Sequence, residues 1–191
     1  MGSDTPQKRL PRQHRVEEQD RPPMLLTDRD CEVIRTVNDC RALRADQIER
    51  LFFSSRSTAQ FRLAKLFHHE FLDRQFLSVA SRAPASNPAV YTVGKRGVQL
   101  LIDRFGYDRS QLRRPKSSLS WHLLEHLLKV NDVRIAVMQS APLAHSKLET
   151  WWDETTFRTQ PDYVVLKDKR GRERKKPVFP DGYFCLATSQ G

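Results

Sequence analysis

Three sets of residues in this chain have types and spacing suited to chemistry. The first is the run Ser54, Ser55, Arg56, Ser57 and Thr58, continued by Gln60, Arg62 and Lys65. Hydroxyls at the start of a helix cap its free N–H groups or donate to phosphate oxygens, and the positive helix N-terminus itself favours phosphate. Arg56 and Arg62 can bridge a guanine edge through two hydrogen bonds, Gln60 can read adenine in a similar way, and Lys65 suits a phosphate. The second set is His122, Glu125 and His126, the H-x-x-E-H spacing in which two histidines bind zinc and the glutamate acts as general base. That site needs a third ligand. Glu149, Glu154 and Glu173 are the acids downstream, and none lies in a second helical motif. The third is Pro180-Asp181 ahead of "GYFCL". An aspartate at the start of a buried strand, joined by another acid, can hold Mg²⁺ and support phosphodiester cleavage. An ordinary turn into a strand has the same pattern.

The elements that must position the first set run from Leu26 to Gly97. "TDRDCEVIRTV" reads as a helix capped by Thr27, with Val33, Ile34 and Val37 on one face. "RADQIERLFF" is a second short helix that turns Ile48, Leu51 and Phe52 inward. In the third, "SRSTAQFRLAKLFHHEF", Ala59, Leu63, Leu66 and Phe67 fall on the buried side and the polar set on the other. "LDRQFLSVA" and "AVYTV" then read as two strands joined by the turn-rich "SRAPASNP". Three helices followed by a hairpin are the layout of a winged helix-turn-helix, with the third helix as reader of the major groove. The wing adds Arg74 on its first strand and Arg82 near its tip, the latter suited to a minor groove or its backbone. "KRGVQLLIDRFG" closes the domain, with Lys95 and Arg96 at its start.

Charge agrees with a polyanionic partner. Lys and Arg number 33 against 23 Asp and Glu, a net +10 with a pI near 9.9. No apolar run approaches the roughly 20 residues that cross a bilayer. The polar, proline-punctuated start has no apolar leader core, so a cytoplasmic protein without membrane contact is expected. Cys31, Cys40 and Cys185 show no paired-ligand spacing for zinc, and the first two read as small buried residues.

Residues 1–23, with their prolines and nearly balanced charges, read as a flexible basic tail. The winged-helix domain spans 24–106 and a linker 107–118. From 119 a second part begins with the longest helical pattern, "SWHLLEHLLKVNDVRIAVMQS", whose apolar face must be buried in its own domain or against a second copy. The second option makes a homodimer that reads paired half-sites. "KLETWWDETTFR", "DYVVL" and "PVFPDGYFCL" alternate as strands, and "KDKRGRERKKP" reads as an exposed hairpin tip around Gly171.

The order of a winged helix, "HLLKVNDVRIAV" with His126, Asn131 and Asp132, "WWDE" with Glu154, and "FPDGYF" with Pro180 and Asp181 resembles the replication-relaxation family of bacterial mobile elements. The resemblance covers about Leu26 to Leu186. It implies an α+β chain in which an N-terminal winged helix precedes a domain similar to the PD-(D/E)xK nuclease fold. His126, Asp132, Glu154 and Asp181 would then be the site-forming positions, with Mg²⁺ as cofactor if the domain cleaves. After "PDGYFCL" that fold continues to a strand bearing Glu-x-Lys, whereas this chain stops at "ATSQG". The resemblance therefore implies a sequence-specific binder of double-stranded DNA, acting in transcription, replication or transfer, rather than a competent nuclease. The alternative is a metal-dependent nicking relaxase or its truncated form.

Overall fold

Thr27 ends an extended segment and opens the first helix. Its hydroxyl accepts the Asp30 N–H at 3.3 Å, and the Asp30 carboxylate accepts the Thr27 N–H at 2.7 Å. This reciprocal pair satisfies two donors that helix α1 (Asp28–Asp39) would otherwise leave free. The computed structural model describes residues 10–76, 88–113, 121–159 and 161–188. The chain is mixed helix and strand, in two compact units, Met1–Leu128 and Lys129–Gly191.

In the first unit α1 is followed by β1 (Leu43–Arg44), α2 (Ala45–Phe52), α3 (Arg56–His68), β2 (Leu72–Phe76), β3 (Ala89–Val93) and α4 (Lys95–Phe105). The three strands form one antiparallel sheet in the order β1-β3-β2, with Tyr91 opposite Leu43 on one side and Arg74 on the other. The core is built from the residues that helical and strand spacing select: Ile34, Ile48, Leu63, Leu66, Leu72 and Leu101 are fully buried. Cys31 and Cys40 are buried beside them as free thiols. Strand β1 is too short to show a period of two, so no residue pattern announces it.

The end of α3 fixes how α4 is seated. Glu70 takes a left-handed conformation (φ 64°), and the Phe71 N–H reaches back to the Leu66 carbonyl at 2.9 Å. The Glu70 and Phe71 carbonyls then accept the Arg96 and Gly94 N–H groups at 3.0 and 2.9 Å. A Cβ on Gly94 or Gly97 would lie 2.3 Å from the Glu70 oxygen or 2.2 Å from the Phe71 oxygen. Only glycine allows this approach.

Helix α5 (Trp121–Ser140) carries the chain from one unit into the other. Its first half belongs to the first unit: Leu124, Leu127 and Leu128 pack in one cluster with Ala42 and Val90. Gln47 Nε2 also donates to the Leu128 carbonyl at 2.9 Å. The domain boundary expected across 107–118 thus falls inside this helix, because its early leucines complete the first core.

The second unit holds the rest of α5, then β4 (Ser146–Asp153), α6 (Glu154–Thr159), β5 (Asp162–Lys167), β6 (Glu173–Val178) and β7 (Gly182–Thr188). Strand β4 pairs antiparallel with β7, and β5 pairs antiparallel with β6 as a separate ribbon. Trp151 stacks on Phe184 with ring centres 5.7 Å apart, and the Arg134 guanidinium lies 5.5 Å over Trp151. Two expected strands are corrected. "WWDETTFR" turns from strand to helix at Glu154, where Thr155 N–H donates to Asp153 Oδ1 at 3.1 Å. "PVFPDGYFCL" is split, with Val178 ending β6 and Gly182 starting β7.

Candidate nucleic-acid interface

Ser55 starts α3. Its Oγ accepts the Thr58 N–H at 3.3 Å and donates to Thr58 Oγ1 at 2.8 Å, so the hydroxyl cap expected from the sequence is present. Arg56, Ser57 and Gln60 are exposed, and helical geometry gathers them on one stripe over the first two turns. No acidic residue sits in the first turn of α3, so nothing there opposes the positive end of the helix. Among the described residues the side chains of Arg56 and Gln60 have no hydrogen-bond or ion-pair partner. Lys95 is likewise exposed, at the first position of α4.

The other cations assigned to this surface point elsewhere. Arg62 Nε donates to Asp30 Oδ1 at 2.6 Å, and its Nη2 meets Asp30 Oδ2 and the Leu25 carbonyl. The Asp30 carboxylate is fully buried and the Arg62 side chain is 20% exposed. Burial pushes the Asp30 carboxyl up, but hydrogen bonds from Arg62 and Thr27 outweigh it and hold the group below its ordinary range. Arg62 therefore ties α3 to α1. Arg74 lies 4.0 Å over the Phe67 ring and donates to the Arg12 carbonyl. Lys65 Nζ donates to the Pro23 carbonyl at 2.9 Å. Arg82 lies outside the described residues.

What occupies Lys65 and Arg74 is the leader. Residues 10–26, expected to belong mostly to a flexible tail, are laid along α3 and β2. Arg15 donates to the Phe67 and Leu72 carbonyls at 2.8 and 3.0 Å and pairs with Asp73. Arg21 pairs with Glu70 at 2.7 Å, and the Pro22 carbonyl lies 2.7 Å from His69 Nε2. The prolines explain part of this: extended, proline-rich backbone leaves its carbonyls unpaired and ready for a side-chain donor. His68, fully buried beneath the arm, accepts the Val16 N–H on Nδ1 at 3.2 Å. Burial, aided by the Arg74 guanidinium, pushes its pKa down to about 4, so the imidazole is neutral at physiological pH. Alternating prolines and arginines were the available signal, but balanced charge reads as solvation.

A family model described as replication-relaxation matches residues 34–191. The chain belongs to the replication-relaxation family. That membership points to a role in replication or in relaxation of a mobile element. No curated protein and no solved structure matches the chain.

The four positions that the family resemblance implied as site-forming are only partly brought together. Asp153 pairs with Gly182 at one end of the β4–β7 ladder, which places Glu154 and Asp181, the next residues outward, at the same end. The Glu154 carboxylate, however, accepts both Arg158 Nε and Nη2, at 3.0 and 2.6 Å. Strand β7 is exposed along nearly its whole length, which corrects the expectation that Asp181 opens a buried strand. His126 and Asp132 are six residues apart on α5, about 120° around the helix axis, so they do not share a face. Among the described residues no three His, Cys, Asp or Glu side chains converge as a metal site, His122, Glu125 and His126 included. No helix among the described residues is long and apolar enough to cross a membrane.

Proposed function

We propose that this member of the replication-relaxation family is a cytoplasmic, sequence-specific binder of double-stranded DNA, regulating transcription, replication or transfer of a mobile element. The first unit is read as a winged helix-turn-helix in which α2 and α3 form the helix pair and β2 and β3 the wing. The observation that supports this reading best is the open stripe of Arg56, Ser57 and Gln60 at the acid-free N-terminus of α3. These side chains are the donors and acceptors that major-groove recognition uses, whereas Arg62 and Lys65 further along α3 are committed within the fold. Arg56 supplies base or phosphate contact, Gln60 base contact, and Ser57 and Lys95 phosphate contact. Footprinting on DNA of the element that encodes the chain tests the proposal: a protected site is expected, lost with Gln60→Ala at the bases it reads. The apolar face of α5 suggested a homodimer, but Leu124, Leu127, Leu128 and Ile135 are buried within the chain. A dimer on DNA then rests on operator symmetry alone, and light scattering with and without DNA tests it. A second reading, metal-dependent nicking, is supported by the shared end of the ladder at Glu154 and Asp181. Magnesium-dependent relaxation of supercoiled plasmid, lost with Asp181→Ala, tests that one.

A further inference from the structure

The ribbon β5–β6 stands apart from the other sheets and is exposed on both faces. Between positions 162 and 178 it holds seven Lys and Arg against three Asp and Glu. Two of the acids are spent on the tip itself. Asp168 Oδ1 accepts the Arg170 and Arg172 N–H groups at 2.8 and 3.0 Å, and Glu173 faces Lys167 at 3.7 Å. Gly171, at φ 76°, closes the turn. The side chains of Lys169, Arg170, Arg174, Lys175 and Lys176 have no hydrogen-bond or ion-pair partner among the described residues.

The register sorts these charges. Val164 lies opposite Lys176 and Leu166 opposite Arg174 on one face, while Val165 lies opposite Lys175 on the other. Strand β5 is thus the apolar strand and β6 the basic one, with cations on both of its faces and, among the described residues, an outer edge that no strand covers. Pro177 removes an N–H from that edge, and a second basic edge would repel it. This disfavours a second copy of the chain adding as a neighbouring strand. A polyanion meets no such obstacle.

We propose that β5–β6 is a second DNA-contacting element, a basic β-ribbon that follows the phosphate backbone of duplex DNA through Arg170, Arg174, Lys175 and Lys176. Its dimensions match a duplex groove, since two strands about 4.8 Å apart and roughly 20 Å long fit a major groove about 12 Å wide. Exposed Tyr163 and Val165 offer apolar surface to the sugars. The ribbon's contacts carry no sequence choice of their own and add salt-dependent affinity to whatever the first unit selects.

The test is duplex DNA affinity by fluorescence anisotropy across a salt series, with the whole chain. It compares wild type, R170A/R174A/K175A/K176A, the charge-retaining R174K/K175R/K176R, and Arg56→Ala. The four-fold alanine variant is expected to weaken binding more than tenfold at moderate salt and to flatten the plot of log K against log salt by about 2–4. The charge-retaining variant keeps wild-type behaviour, and circular dichroism is unchanged throughout. An unchanged salt slope in the alanine variant overturns the proposal, as does loss of self-association in place of DNA affinity. The ribbon stands on its own charges. If Arg56→Ala has no effect while the alanine variant is impaired, the α3 reading fails and the ribbon's role survives. The converse result removes the ribbon alone.

Discussion

Arg62→Ala separates the inward cations of α3 from the outward ones. The substitution strips the guanidinium from a carboxylate, Asp30, that is fully buried, while the lost side chain was itself 20% exposed. Removing one partner of a buried pair costs about 3–5 kcal/mol. Two things lessen that: Arg62 is partly solvated, and Asp30 keeps the Thr27 N–H and hydroxyl, both at 2.7 Å. A loss of about 2–3 kcal/mol is expected at neutral pH. The sign with pH follows from the cause. In the wild type Asp30 titrates below its ordinary 3.8, so it adds stability above that pH and loses it as pH falls further. Without Arg62 the carboxyl loses its main charged donor and its pKa rises from the lowered wild-type position, so the cost of the substitution grows from acid to neutral pH. Asp30→Asn added to Arg62→Ala removes the buried charge and restores much of the loss. Urea unfolding followed by circular dichroism measures this, with hydrogen exchange at α1 and α3 assigning the transition to the first unit. A change within about 0.5 kcal/mol, the range of ordinary surface substitutions, together with a large loss of DNA affinity, would refute the assignment. Arg62 would then be a DNA contact after all.

Three further outcomes follow from the same structure. His68 is held neutral with a pKa of about 4 against an ordinary 6.5. The unfolded chain binds the proton first, so stability rises with pH between these values, by at most about 3 kcal/mol. His68→Gln should flatten that dependence in unfolding measured from pH 4 to 7. Around His68 lie Arg74, Arg15, His69 and the Pro11 backbone, and its protonation removes the acceptor for the Val16 N–H. Gly97→Ala forces a methyl against the Phe71 carbonyl and should cost more than about 2 kcal/mol by thermal or urea unfolding, since backbone must move. Arg15→Ala removes the arm's links to Phe67, Leu72 and Asp73, and limited trypsin digestion should then cleave after Arg12 faster than in the wild type.

Much of the first unit was legible because its signals are local. The Thr27 and Ser55 caps, the helical spacing of Val33, Ile34, Leu63 and Leu66, and the two longer strands β2 and β3 all follow from neighbours a few residues apart. The direction of a cation was not legible. Arg56 and Arg62 look alike in sequence, but the buried Asp30 that captures Arg62 lies 32 positions away. Arg74 is engaged in the same manner, by carbonyls of an arm some 60 residues earlier. Leu124, Leu127, Leu128 and Ile135 of the α5 face are buried as expected, whereas Leu123 is exposed, and the partner was not legible: Ala42 and Val90 lie at a β1–β3 sheet that short strands hardly announce. In the second unit the exposed basic tip was found where expected. The break at Glu154 was missed because alternation continues through "WWDE" until a side-chain turn at Asp153 stops it.

Whether α3 reads DNA is decided by the salt dependence of duplex affinity, measured for the wild type and for Arg56→Ala. A steep loss of wild-type affinity with salt is expected. Arg56→Ala should be weaker by about 1–3 kcal/mol, with its preference for the cognate site reduced and its stability unchanged. Wild-type affinity that ignores salt, or an Arg56→Ala variant that binds the same site as tightly, would contradict that role.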